Sequence, residues 1–192
     1  MPGAGGNGPR DAPRLSVYIA TSLDGYIAAT DGSLDWLDAA CSPDEDYGWE
    51  PFLAGVDALA MGRGTYDHIR HLDPLPFGER PVFVFTHRPP AQRAGVTFWS
   101  RTPQDAASAW AASGLRHVYV DGGRLISDFL AAGLIDDLTI TTAPVLLGGG
   151  LPLFHAIPGP VPLARTSLES WPSGVTQARY ERWLGPSGAG PA

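Results

Sequence analysis

The chain contains no lysine, and its thirteen basic side chains are all arginine. That absence excludes Schiff-base chemistry on a lysine and excludes a phosphate-loop lysine. Cysteine is nearly absent as well. Cys41 stands alone, so neither an intramolecular disulfide nor a cysteine-built zinc site can form, a usage that suits a reducing compartment. No apolar run is long enough to span a bilayer, and the N-terminus lacks the charged-then-apolar pattern of a secretory leader. A soluble, cytoplasmic protein without membrane contact is expected. Positive charge is scarce too: a net charge of −7 argues against nucleic acid as a partner, because phosphate backbones are held by accumulated Lys and Arg. A small molecule is the better-matched ligand.

What is present is enough for one domain with a proper core in 192 residues. Residues 1–14 and 185–192 are rich in Gly, Pro and Ala with almost no large apolar groups, so they cannot offset ordering entropy and are expected to be disordered tails. The folded domain is expected over residues 15–184. Within it, β-rich runs at Ser16–Ala20, Val56–Met61, Pro81–Thr86, His117–Val120 and Asp137–Thr142 alternate with helical spacing at Glu45–Ala54, Arg63–Arg70, Pro103–Ser113 and Gly123–Ala132. Such alternation predicts a mostly parallel sheet covered on both faces. The C-terminal part changes character: Leu163–Trp171 and Val175–Trp183 alternate apolar and polar around a Pro-Ser-Gly turn, which predicts an antiparallel hairpin at a sheet edge.

Two strand-to-helix junctions carry glycine. In "MGRGTYDHI" the helix opens after Gly62 with Arg63, Gly64 and Thr65; in "VYVDGGRLI" it opens after Gly122 and Gly123. A helix start offers unpaired amides and partial positive charge, glycine lets a ligand approach the backbone, and the Arg63 fork matches phosphate oxygens. Each junction is thus a phosphate seat, or simply a turn from strand to helix; neither matches the dinucleotide fingerprint G-x-G-x-x-G.

Taken in order, "YIATSLDGYIA", "DYGWEPF", "ALAMGRGTYD", "VFVFTHRP" and "VDGGRLISDFLAAGLIDDLTITTAPVLLGGGLPLF" resemble dihydrofolate reductase. They resemble more closely the bacterial reductases related to the C-terminal domain of the bifunctional riboflavin biosynthesis protein. The resemblance implies a three-layer α/β/α dihydrofolate reductase-like fold with NADPH as cofactor. It implies that Gly62, Arg63, Gly64 and Thr65 meet the adenosine 2′-phosphate and pyrophosphate. Thr86, His87 and Arg88 would flank the ribose, Gly122 and Gly123 would cradle the pyrophosphate, and Arg124, Leu125 and Ile126 would line the approach. Ala20 and Ile27 would touch the nicotinamide amide. Arginine offered twice to one phosphomonoester favours NADPH over NADH. No H-x-E with P-C-x-x-C is present, so no attached deaminase is expected. Members of this family commonly pair, and the hairpin edge offers a surface for a homodimer.

Hydride transfer to a heterocycle also needs a proton. The resemblance points to Asp46 as the acid, beside Trp49 and Phe52, with Thr141 in support; the acidic run Asp44 to Asp46 reads equally as carboxylates stabilising a helix start. Trp36 and Trp49 bracket the expected substrate cleft, with Gly148–Gly150 bending the chain around it and Phe154 as a wall. Asp24 in "SLDGYI" reads as turn chemistry. His68 and His71, with no third ligand in view, read as a solvated face, and no metal is expected. The activity implied is reduction of a pterin- or pyrimidine-like substrate, with 5-amino-6-(5-phosphoribosylamino)uracil and dihydrofolate as named alternatives. A domain that binds a nucleotide or heterocycle without turning it over remains the alternative of another class.

Overall fold

The computed structural model describes residues 12–45 and 47–183. Asp46 and most of the two expected tails therefore lie outside the described residues. Strand β1, Arg14–Ser22, begins one residue ahead of the expected domain boundary, with the Arg14 guanidinium 2.7 Å from Asp137.

Eight strands form one sheet: β1, then β3 (Ala58–Gly62), β4 (Val82–Phe85), β5 (Val96–Trp99), β6 (His117–Asp121), β7 (Asp137–Ala143), β9 (Leu163–Ser170) and β10 (Thr176–Arg182), in the order β5-β4-β3-β6-β1-β7-β10-β9. Every ladder from β5 to β7 is parallel, and the β9–β10 hairpin closes one edge antiparallel. The architecture is the expected dihydrofolate reductase-like one. A separate two-stranded ribbon pairs β2 (Tyr26–Ala28) with β8 (Leu151–Pro152).

Alternation along the central strands assigns the faces. Leu15, Val17 and Ile19 of β1, Ala58 and Ala60 of β3, and Val118 and Val120 of β6 pack on α4 (Pro103–Ala112) and α5 (Gly123–Ala131) through Trp110, Ile126 and Phe129. The intervening residues Tyr18, Leu59, Met61, Val82, Val84 and Tyr119 face the opposite layer, which holds α2 (Trp49–Ala54) and α3 (Arg63–Ile69). Both faces are buried because a period of two in a parallel sheet sends apolar groups each way. Full burial of a side chain such as Phe129 stabilises by about 1.5–3 kcal/mol.

The largest departure from expectation lies ahead of α2. The helix begins at Trp49 rather than Glu45, because Gly48 adopts φ +84° and interrupts it. Glu45 is therefore not at a helix start: it instead accepts from the Ser173 hydroxyl at 2.6 Å and the Tyr47 hydroxyl at 2.6 Å. Those bonds hold its carboxyl below the usual range, Ser173 contributing most. Strand β5 and the short helix α1 (Asp35–Ala40) were not expected either. No helix among the described residues is long and apolar enough to cross a membrane.

Candidate functional site

A cleft of about 500 Å³ opens where β3, β4, β5 and β6 end and α3 and α5 begin, with the β2–β8 ribbon as its far wall. Gly62, Arg63, Gly64, Thr65, Thr86, His87, Gly122, Gly123, Arg124, Leu125 and Ile27 all line it. These came from separate stretches of sequence, and the parallel topology gathers them because each strand delivers its C-terminal end to the same edge.

The two glycine junctions are built differently. A Cβ at Gly62 or Gly64 would meet nothing within 4 Å, so bare backbone faces open space. At Gly122, with φ +93°, a Cβ would lie 2.6 Å from Thr65 Oγ1, and at Gly123 it would lie 2.3 Å from the Pro152 carbonyl. The first pair leaves room above the chain. The second lets three segments touch.

Arg63 is already engaged. Its Nε lies 2.7 Å from Asp67 Oδ2 and its Nη1 donates to the Arg88 carbonyl at 2.6 Å. Arg88 itself stands exposed beyond the lining residues and contributes that carbonyl. Ala20 pairs with Thr141 in the sheet, away from the lining. Ile126 is fully buried in the core on the other side of α5, a correction to its expected place in the approach, because α5 turns that residue inward.

Sequence reasoning missed a third wall. Trp99, Ser100 and Arg101 follow β5 into the cleft. The Arg101 guanidinium carbon sits 4.6 Å from the Trp99 ring centroid, a cation–π contact, and His87 Nδ1 lies 2.7 Å from Ser100 Oγ. The available signal was Thr102-Pro103, an N-cap followed by proline at the first helical position, which marks a strand-to-helix junction just before it. Asp128, Leu151 and His155 also line the cleft and were not singled out.

Asp121 was missed too. It closes β6 directly before Gly122, and desolvation raises its carboxyl to about 6, opposed by the Gly122 amide at 2.8 Å and by the Tyr119 hydroxyl. Burial likewise pushes the Tyr119 phenol well above its ordinary value. A carboxyl that titrates there can hold or release a proton near neutrality.

The expected substrate residues divide. Trp49 and Phe52 pack with Tyr18 and Tyr119, Tyr18 and Phe52 stacked at 4.7 Å, so they are half-buried members of the second core. Thr141 is buried, and its Oγ1 accepts from Gln177 Nε2 at 2.8 Å. The same amide donates to the Tyr47 carbonyl at 2.8 Å, and the Tyr18 hydroxyl donates to that carbonyl as well. Trp36 is half-buried on α1, with an indole N–H that lacks a partner among the described residues, and Phe154 is exposed. Asp24 is fixed by Ser22 Oγ at 2.6 Å and by the amides of Leu147 and Gly148, which lower its pKa in that order; these bonds tie the β1–β2 turn to the loop containing Gly148–Gly150.

Residues 13–176 match the RibD C-terminal domain family. The uncharacterized protein YwjB of Bacillus subtilis is 38% identical over 144 residues, covering 73% of this chain and 82% of its own. A crystal structure from Shewanella sp. PV-4, provisionally named for riboflavin biosynthesis, superposes with a TM-score of 0.82 at 36% identity, over 88% of this chain and 99% of that one. The dihydrofolate reductase of Enterococcus faecalis, complexed with NADP(H), shares the fold alone: TM-score 0.60, 18% identity, 88% of this chain and 96% of that one.

Proposed function

Since the chain belongs to the RibD C-terminal domain family, we propose that it is an NADPH-dependent reductase acting on a C=N, C=C or C=O bond of a small planar heterocycle. The observation that carries this reading is the convergence of two glycine junctions and three arginines on one cleft. The residues fit a dinucleotide: the backbone at Gly62 and Gly64 is uncovered, and the first amides of the nine-residue α5 have no partner within the helix. Arg63, Arg101 and Arg124 would balance the phosphates, with Arg101 paired to no carboxylate among the described residues. Ile27, which lines the cleft, and Ala20, which lies outside its lining, would contact the nicotinamide end.

When bound, the dinucleotide supplies the hydride. The protein orients the heterocycle and holds the proton. Asp121 is the described group best suited to that task, since desolvation keeps part of it protonated near neutrality. Asp46, whose neighbours Glu45 and Tyr47 are both pinned, is the alternative acid on the substrate side, where Trp36, Trp49, Phe52, Thr141 and Phe154 would frame the ring.

Calorimetric titration of NADPH and NADH tests the reading. Wild type should prefer NADPH. Arg101→Ala should weaken NADPH by ~10-fold or more while sparing NADH, as loss of one charge-assisted bond predicts. Arg63→Ala should have the smaller selective effect, because Asp67 already offsets its charge. Equal affinity of wild type for both dinucleotides, or none for either, would remove the proposal.

A further inference from the structure

We infer that the substrate of this site is an uncharged heterocycle, without a phosphate or other anionic arm. The inference rests on the reductase reading and concerns the other half of the same site.

The sign of the charge changes across the edge where the strands end. On the dinucleotide side stand Arg63, Arg101 and Arg124, which outnumber Asp128, the carboxylate that lines the same cleft. Moving from β6 across β1 to β7, the charged side chains become Asp121, Asp24 and Glu45. None of the three carboxylates is met by a cation among the described residues: Asp121 accepts from an amide, Asp24 from Ser22 and two amides, and Glu45 from Ser173 and Tyr47. Hydrogen bonds from neutral donors fix a carboxylate without cancelling its field, so this half repels anions.

The arginines that could reverse the field are committed elsewhere. Arg80 and Arg93 spend their forks on backbone carbonyls beside the start of β4. Arg14 and Arg116 lie at the opposite ends of the strands, where β1 and β6 begin. Arg179 comes nearest, with its guanidinium against Gly48. It pairs in register with Thr139, one same-face step below Gln177, which is 1% exposed and bonded to Thr141, Tyr18 and the Tyr47 carbonyl. That sealed polar layer lies between Arg179 and the strand ends. The rim above is apolar: Leu23 on the β1–β2 turn and Leu146 on the facing loop are 63% and 68% exposed, joined by an amide-to-carbonyl bond from Leu23 to Val145. Such a rim receives an apolar or neutral ring and offers a phosphate nothing to replace its water.

The test uses the full chain saturated with NADPH and a matched pair of uracils bearing the same 6-ribosylamino arm, one 5′-phosphorylated, titrated by tryptophan fluorescence. The unphosphorylated member should bind ~10-fold tighter or more at low salt, and the gap should narrow as ionic strength rises toward ~0.5 M. Leu146→Arg should improve the phosphorylated ligand selectively. Tighter binding of the phosphorylated member to wild type overturns the inference, and loss of that preference in Arg179→Gln would identify the anchor. Binding of neither uracil overturns the neutral-heterocycle assignment. Failure of NADPH to bind is a separate result that strikes the reductase reading, while the uracil pair, titrated without NADPH, still reports the charge preference of this half.

Discussion

The junctions at Gly62–Gly64 and Gly122–Gly123 look alike as sequence and differ as physics. At the first, the missing Cβ atoms leave open cleft above the backbone. At the second, they let the turn press against Thr65 and the carbonyls of Pro152 and Leu153, which brings α5, α3 and the β2–β8 ribbon together. One pair of glycines makes room for something foreign; the other makes the room's walls meet. The difference predicts opposite mutational signatures.

The largest effect should come from Gly123→Ala. Its new Cβ would meet backbone rather than a movable side chain, so overpacking should destabilise by ~3 kcal/mol or more, read as a lower midpoint in urea. A midpoint equal to wild type would erase the distinction between the junctions. Next is Asp121→Asn, which leaves the turn's amide bond in place but removes the proton. If Asp121 is the acid, turnover should fall ~100-fold, and the decline of wild-type rate as pH rises through about 6 should disappear in the variant. The stability sign is opposite to that of an ordinary paired carboxylate. Its folded pKa is raised above the ordinary value of 3.8, so its contribution is fully present below that value and is lost as pH rises through about 6. The asparagine variant should therefore gain stability relative to wild type above that pH, by on the order of 1–3 kcal/mol. The smallest effect should be at Gly64→Ala, inside the first turn of α3: ~0.5–1 kcal/mol more stable by helix propensity, yet weaker for NADPH. A Gly64 variant that gains stability and keeps full affinity would show that the open space there holds no ligand.

Much of the dinucleotide half was legible because it follows local rules. A β-branched run ending in Gly-Gly-Arg before Leu-Ile is a strand turning into a helix in almost any context, and parallel order then gathers such ends on one edge. Trp99 to Arg101 escaped because β5 has four residues and only Val96 is buried, leaving no clean periodicity. The start of α2 was misplaced because an acid run imitates a helix entrance, whereas Gly48 at positive φ and the distant Ser173 decide the matter. Asp121 was invisible in kind: its shift arises from desolvation by neighbours brought from other strands, and no spacing in the chain encodes that.

Gln177 carries one further consequence. A single amide from the final strand holds Thr141, Tyr18 and the segment leading into α2, and Ser173 of the same hairpin holds Glu45. During synthesis, the dinucleotide cradle can close from residues made earlier, but the pocket's other side lacks its Gln177 and Ser173 fastenings until the last hairpin leaves the ribosome. A nascent chain would thus be half a receptor first and a whole one only at its end.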